Sequence, residues 1–165
     1  MKKEKSIVSQ TLMYIFFLIL GVLLSVVIHE LSHYIAVKMC GGTVVDISIG
    51  IENFVSCYVD EKYKSFISLS SVFMPLFLLC IFAFFKNAYV SCFNIGFSVA
   101  IFMNIVLGIY AIYFEKSVEI QNTYDVTFAY NNSSNGNIIL ILSGIWFVIL
   151  MAIIINEMRK LYKYI

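Results

Sequence analysis

Four long apolar segments dominate this sequence and limit what it can fold into. Each approaches or exceeds the roughly 20 residues that an α-helix needs to cross a bilayer. Hydrophobic residues make up 61% of the 165 residues and charged residues only 13%, a composition that excludes an ordinary soluble domain. The chain is therefore predicted to be an all-α membrane protein, a single integral membrane domain with about four transmembrane helices, over residues 12–39, 66–85, 89–114 and 138–155.

The polar stretch between the first two segments has a different periodicity. Ile47 and Ile49 alternate with polar residues, and the alternation resumes after Asn53. This pattern predicts a small β-hairpin over residues 43–59 at the membrane surface, turning near Glu52. Such a hairpin offers a strand edge to an extended peptide, with Ile47 and Ile49 as candidate substrate contacts. A solvated connector is the alternative interpretation.

The first apolar segment ends in the motif His29-Glu30-Leu31-Ser32-His33. Residues four apart lie on one face of a helix, so His29 and His33 are able to bind the same zinc ion. They are also the only histidines of the chain. Glu30 is then a candidate general base for a water that zinc activates. The alternative is a pair of polar side chains hydrogen-bonded within a helix bundle, although each ionisable group near the centre of a membrane costs about 3 kcal/mol and calls for a partner.

A catalytic zinc ion usually has three protein ligands, and the motif supplies only two. With four spans, the motif, the hairpin and the loop over residues 115–137 lie on the same side of the membrane. Asp125 is the first candidate for the third ligand, because its aromatic and apolar neighbours let this segment enter the membrane interface and bring a carboxylate to the metal. Glu119 is a rival, and an ordinary loop acid with the ligand elsewhere also stays open.

Polar and small residues inside the apolar segments predict contacts between helices. Asn104 is able to hydrogen-bond to a ligating histidine or to a substrate backbone, but a bond to a neighbouring helix is the favoured interpretation. Gly21 and Ser25 precede His29 at intervals of four residues, which predicts the close approach of another helix. The four cysteines show no metal-ligand spacing and are interpreted as packing residues.

The charged residues indicate partners and orientation. A net charge of +1, without a basic cluster among aromatic residues, excludes nucleic acid as a partner and leaves the lipid bilayer. Most of the 11 lysine and arginine residues lie on the side of the two termini: Lys2, Lys3, Lys5, Lys86, Arg159, Lys160 and Lys163. The positive-inside rule then predicts a multi-pass protein of the cell membrane with both termini in the cytoplasm.

The motif and the stretch after it resemble the site-2 protease family of intramembrane zinc metalloproteases. The resemblance is carried by His29-Glu30-Leu31-Ser32-His33 within a transmembrane helix and by Gly41-Gly42-Thr43-Val44-Val45-Asp46-Ile47-Ser48-Ile49-Gly50. Pro75 and the sequence Asn122-Thr123-Tyr124-Asp125 match later motifs of the family in part. Family members usually have glycine at the position of Ser32, and a proline and a glycine beside the third ligand.

What the resemblance implies is a zinc metalloendopeptidase that hydrolyses a peptide bond in a membrane-embedded or membrane-associated precursor. It implies Zn²⁺ as the cofactor, His29, His33 and Asp125 as its ligands, and Glu30 as the base. The 165 residues leave no room for an accessory soluble domain, so a membrane-inserted peptide or a small precursor protein is the expected substrate. The alternative is a non-proteolytic membrane protein, a degenerate relative that serves as a scaffold, an immunity factor or a metal-binding carrier.

Overall fold

The structure, a computed structural model, describes residues 2–48, 54–115, 117 and 124–163. Within these residues the chain forms five α-helices, one two-stranded antiparallel sheet and a short 3-10 helix. In chain order the elements are α1 (Lys2–Met39), β1 (Thr43–Ser48), β2 (Phe54–Tyr58), the 3-10 helix (Glu61–Tyr63), α2 (Lys64–Phe82), α3 (Ala88–Phe114), α4 (Asp125–Asn131) and α5 (Gly136–Tyr162).

Four of these helices, α1, α2, α3 and α5, are long and apolar enough to cross a membrane, by length and composition. The prediction of an all-α membrane protein with about four spans and a small hairpin is therefore confirmed. The charged tail after the fourth predicted span is part of α5, which continues to Tyr162. There Lys160 Nζ pairs with Glu157 and donates a hydrogen bond to the carbonyl oxygen of Ala83, just after α2.

α1 ends at Met39, just before a pair of glycines, Gly41 and Gly42. Gly41 has a positive φ of 72°, a backbone conformation that glycine adopts without steric cost. Its N–H donates to the carbonyl oxygen of Lys38, and the N–H of Gly42 donates to that of Val37. These bonds satisfy carbonyl groups of the last helical turn and direct the chain into β1.

The hairpin follows directly. β1 pairs antiparallel with β2, from Thr43 opposite Tyr58 to Ser48 opposite Phe54, with one bulge in β1. The predicted turn near Glu52 lies outside the described residues. Partly buried side chains of both strands pack on a small apolar cluster formed by the end of α1 and the start of α2, so the hairpin lies at the end of the bundle where α1 finishes.

α1 and α3 approach closely at two glycines. A Cβ atom on Gly21 would collide with main-chain atoms of Phe93 and Phe97, and a Cβ on Gly96 would collide with the main chain of Leu18. Without side chains at these positions the two backbones come nearly into contact, as in other membrane helix pairs. The close approach predicted from Gly21 is therefore confirmed.

The predicted loop over residues 115–137 contains a helix that the sequence analysis did not predict. α4 packs against α2, α3 and α5, and its residues Val126, Thr127 and Ala129 are fully buried. Thr127 Oγ1 donates a 2.8 Å hydrogen bond to the carbonyl oxygen of Gly108 on α3. A helix satisfies most of its own backbone groups, so it can enter the apolar interior at lower cost than an irregular loop. Its first residue is Asp125.

Candidate metal centre

α1 and α4 bring three candidate metal ligands to one point. His29 Nε2 lies 3.0 Å from Asp125 Oδ2, and His33 Nε2 lies 3.2 Å from Asp125 Oδ1. The ligand atoms of the three side chains all fall within 4.8 Å of one another. The two histidines are one helical turn apart, with nearly perpendicular rings whose centroids are 5.1 Å apart. The structure thus brings together the motif and the first candidate for the third ligand.

The second nitrogen of His33 has a fixed partner on another helix. His33 Nδ1 lies 2.9 Å from the carbonyl oxygen of Ile67 on α2. A carbonyl oxygen only accepts hydrogen bonds, so Nδ1 carries a proton, and in neutral His33 the nitrogen that faces Asp125 is an acceptor. Two acceptors 3.2 Å apart need a proton or a metal cation between them. Hydrogen bonds of this kind orient ligating histidines in metal sites.

The carboxylate of Asp125 is held by neutral donors from two further helices. Ser71 Oγ of α2 donates to Oδ2 at 2.6 Å, and Asn104 Nδ2 of α3 donates to the same oxygen at 2.8 Å. Ser68 Oγ lies 3.3 Å from Oδ1 and also 3.1 Å from the backbone oxygen of Asp125. The position of this side chain therefore depends on α2 and α3 as well as on α4.

The protein environment favours the ionised form of Asp125. Burial by itself raises the pKa of this carboxyl, but when both imidazole rings are protonated, the hydrogen bonds and positive charge of His29 and His33 outweigh burial and hold the pKa well below its usual range. An ionised carboxylate is the form that binds a metal ion. The same rings that would share the metal with Asp125 therefore already stabilise its negative charge.

Glu30 lies beside the three candidate ligands and is not part of their cluster. Its Oε1 is 3.8 Å from His29 Nε2, and the residue is only 4% exposed. This is the position that the motif predicts for a base, next to the metal ligands and one residue from the first of them.

The ligand set and Glu30 line one cavity of about 880 Å³. Its wall is formed by α1, α2, α3, α4 and β2, and by the residues that join β2 to α2. Further lining residues come from β2 and from the spans α1 and α3: Val55, Cys57, Tyr58, Val26, Met103 and Leu107. The cavity therefore extends from apolar side chains of the spans to the strand of the hairpin nearest the site.

Comparison with protein-family models, with curated proteins and with solved structures finds no match to this chain. The interpretation of the cavity therefore depends on its residues and their geometry. Two imidazoles and one carboxylate form the donor set of many catalytic zinc sites, and the same three groups also bind iron(II) in non-haem oxygenases.

The remaining predicted site residues lie in different places. Asn104 lines the cavity and bonds to Asp125, so its partner is a residue of another helix, as favoured from the sequence. Ile47 belongs to β1, is 40% exposed and does not line the cavity, because β2 is the strand beside it. Ile49 and the rival ligand Glu119 lie outside the described residues.

Two other acids on this side of the bundle form exposed ion pairs. Asp60 Oδ2 lies 3.1 Å from Lys62 Nζ, and Glu61 Oε1 lies 3.2 Å from Lys64 Nζ. Hydrogen bonds from Lys62 lower the pKa of Asp60, which is fully exposed. These carboxylates have solvated lysine partners and no contact with the histidines, in contrast to Asp125.

Ser68 and Ser71 are the site residues that sequence reasoning missed. A signal for them was present, because serines at positions 65, 68 and 71 recur every three residues in a largely apolar span and so lie near one another on one helix face. The pattern predicts a polar contact of α2, but it does not say with which segment. Only the packing of α4 against α2 reveals that the partner is Asp125.

Proposed function

We propose that this chain is an intramembrane zinc metalloprotease, similar to the site-2 protease family, that hydrolyses a peptide bond in a membrane-embedded or membrane-associated precursor. The observation that carries the proposal is the position of Glu30, a buried carboxylate beside a set of three metal ligands within one cavity. A metal site that serves the fold alone has no need of a base next to its ligands. The buried base therefore favours hydrolysis over a purely structural metal.

The residues present fit a divalent cation. His29, His33 and Asp125 would hold it, because their ligand atoms converge and because neutral His33 presents Nε2 as an acceptor to another acceptor, Asp125 Oδ1. When bound, zinc would supply Lewis acidity to a water molecule and to a peptide carbonyl. Ile67 supports this arrangement, since its carbonyl oxygen keeps the proton of His33 on Nδ1.

Glu30 supplies the proton transfers that hydrolysis requires. As water attacks, a bond forms between its oxygen and the carbonyl carbon of the peptide, and Glu30 takes the proton that the water releases. As the bond between carbon and nitrogen breaks, Glu30 delivers this proton to the leaving amine and returns to its ionised form. The burial of Glu30 keeps bulk water from competing for the proton.

The substrate would bind along β2 in an extended conformation. β2 pairs with β1 along one edge, and no strand within the described ranges pairs with its other edge. Helical segments hide their carbonyl groups in hydrogen bonds, so a substrate helix must unwind, and a strand edge replaces the bonds it loses. Asn104 Oδ1 is buried and has no partner among the described residues while Nδ2 bonds to Asp125, so Oδ1 would accept an N–H from a substrate that reached it in the cavity.

The decisive experiment uses the purified full chain in detergent micelles with one equivalent of zinc. The probe is a mixture of internally quenched peptides with apolar cores. We expect Glu30→Gln to reduce the cleavage rate by about 100-fold or more, the usual range for a lost general base, while zinc stays bound. Glu61→Gln is the matched control, because Glu61 also lines the cavity but is exposed and paired with Lys64, and it should cleave like the wild type.

Three outcomes would count against the proposal. Equal cleavage by Glu30→Gln and wild type would remove Glu30 as the base. Unchanged zinc binding in both His29→Ala and His33→Ala would remove the metal site. Zinc binding by a wild-type chain that cleaves no peptide would favour the alternative of a non-proteolytic metal-binding membrane protein.

A further inference from the structure

α2 supplies none of the candidate ligands, yet it holds the segment that carries one of them. Ser65, Ser68 and Ser71 lie three residues apart on α2, each donates a hydrogen bond to α4, and we call them the serine row. Ser65 Oγ bonds to the carbonyl oxygen of Ala129 at 3.0 Å, and Ser68 Oγ bonds to that of Asp125 at 3.1 Å. These two bonds fix the backbone of α4 at two positions one helical turn apart.

Ser71 differs from the other two serines because its hydroxyl reaches a side chain. Its Oγ lies 2.6 Å from Asp125 Oδ2, and Asn104 Nδ2 lies 2.8 Å from the same oxygen. The other carboxylate oxygen, Oδ1, has a longer contact of 3.3 Å with Ser68 Oγ and faces His33. The neutral donors therefore act mainly on one oxygen of the pair.

The hydroxyl proton of Ser71 has two acceptors within reach. One is the carbonyl oxygen of Ser68 at 2.8 Å, and the other is the Asp125 carboxylate at 2.6 Å. Hydrogen bonds to an ionised acceptor are roughly twice as strong as those between neutral groups, so the proton goes to the carboxylate. Ser71 is 1% exposed, so bulk water does not compete for this bond.

We infer that Ser71 and Asn104 are positioning residues for metal binding: together they hold Asp125 Oδ2, the oxygen that faces His29, and so keep Oδ1 toward His33 and the carboxylate oriented toward a cation between the two histidines. The inference deepens the proposed function and rests on its metal site. Two donors from two different helices prevent the carboxyl group from rotating, so the ligand is already oriented when the metal arrives. Ser65 does not help to orient the Asp125 carboxylate, because in the described structure it bonds only to the α4 backbone.

The inference can be tested without a substrate. The measured quantity is the zinc affinity of the full chain, obtained in detergent by competition with a chelator. We expect Ser71→Ala to weaken zinc binding by about tenfold or more, the range typical for partners of metal ligands. Asn104→Ala removes the other donor to the same oxygen and should have a similar effect, so it provides the test if Ser71→Ala does not fold.

Two serine variants serve as matched controls. Ser65→Ala removes a bond of the serine row that docks α4 but does not reach the Asp125 side chain. Ser98→Ala removes a buried hydroxyl that donates to Asn94 within α3. Both should bind zinc like the wild type. Equal losses in Ser65→Ala and Ser71→Ala would show that the serine row only docks α4, and would overturn the inference.

A double-mutant cycle with Asp125→Ala separates positioning from stability. If Ser71 acts through the carboxylate, Ser71→Ala should have no further effect on zinc affinity once Asp125 is absent. The same loss in both backgrounds, or wild-type affinity in both Ser71→Ala and Asn104→Ala, would overturn the inference. A wild-type chain that binds zinc but cleaves no peptide would contradict only the proposed hydrolysis, whereas one that binds no zinc would overturn both.

Discussion

His33 Nδ1 lies 2.9 Å from the carbonyl oxygen of Ile67, so the backbone of α2 orients an imidazole of α1. The carbonyl oxygen requires a proton on Nδ1, and this leaves Nε2 as the nitrogen that faces Asp125.

We therefore expect zinc-loaded His33 to be protonated at Nδ1 and to bind through Nε2. Nitrogen-15 NMR of a chain labelled at histidine distinguishes the two ring nitrogens. The metal-free spectrum of His29→Gln, in which His33 is the only histidine, identifies the ring signals of His33. A proton on Nε2 in the zinc-loaded chain would contradict the role given to Ile67.

Replacing Asp125 should weaken zinc binding. Its carboxylate lies within 3.2 Å of both histidines, so Asp125→Ala removes the third member of the set. We expect a loss of about tenfold or more in zinc affinity, at least the range typical for partners of metal ligands, measured by chelator competition. Asp60→Ala, at an exposed acid on the same side, is the control. Wild-type affinity in Asp125→Ala together with a loss in Glu119→Ala would assign the third ligand to Glu119.

A methyl group at Gly21 should destabilise the contact between α1 and α3. The added Cβ would collide with main-chain atoms of Phe93 and Phe97, which cannot move without displacing the helix. We expect Gly21→Ala to lower the free energy of unfolding by about 1–3 kcal/mol, as overpacking usually does. Gly144→Ala on α5 is the matched control, because its Cβ would meet no atom within 4 Å. Thermal unfolding in detergent compares the two, and equal melting temperatures would refute the close contact.

The pair Glu157 and Lys160 should stabilise the opposite end of the bundle. Glu157 is fully buried, and Lys160 Nζ lies 2.7 Å from its Oε1 while also donating to the carbonyl oxygen of Ala83. Lys160→Met leaves a buried carboxylate without its cation, which typically costs about 3 kcal/mol or more.

The double variant Glu157→Leu and Lys160→Met removes both charges and should recover most of the stability lost in Lys160→Met. Lys163→Met, at an exposed lysine near the same end, is the control. Thermal unfolding in detergent is the measurement. Equal melting temperatures for the single and double variants would show that the buried charge does not cause the loss.

The proposed orientation places the termini in the cytoplasm and the cavity on the outer side. In a chain whose four cysteines are replaced, Glu61→Cys and Lys163→Cys introduce exposed thiols at opposite ends of the bundle. We expect a membrane-impermeant maleimide to label Glu61→Cys in intact cells, and to label Lys163→Cys only after permeabilisation. The reverse pattern would invert the orientation.

The spans and the histidine pair could be predicted because both depend on local periodicity. Apolar runs long enough to cross a membrane are visible in any window of about 20 residues. His29 and His33 share a helix face whatever surrounds them. α4 could not be predicted in this way, because its short apolar stretch lies in a polar loop and is helical where it packs against α2, α3 and α5.

The sequence by itself determined that four apolar segments are helical and that Glu30 lies beside two histidines on one turn, since neighbours along a helix are fixed by its 3.6-residue period. Only the tertiary structure decided that Asp125 lies against both histidines and that Ser71 and Asn104 hold its carboxylate. These contacts join residues far apart in the chain. They depend on how α2, α3 and α4 pack, and no local pattern specifies which polar side chains then meet.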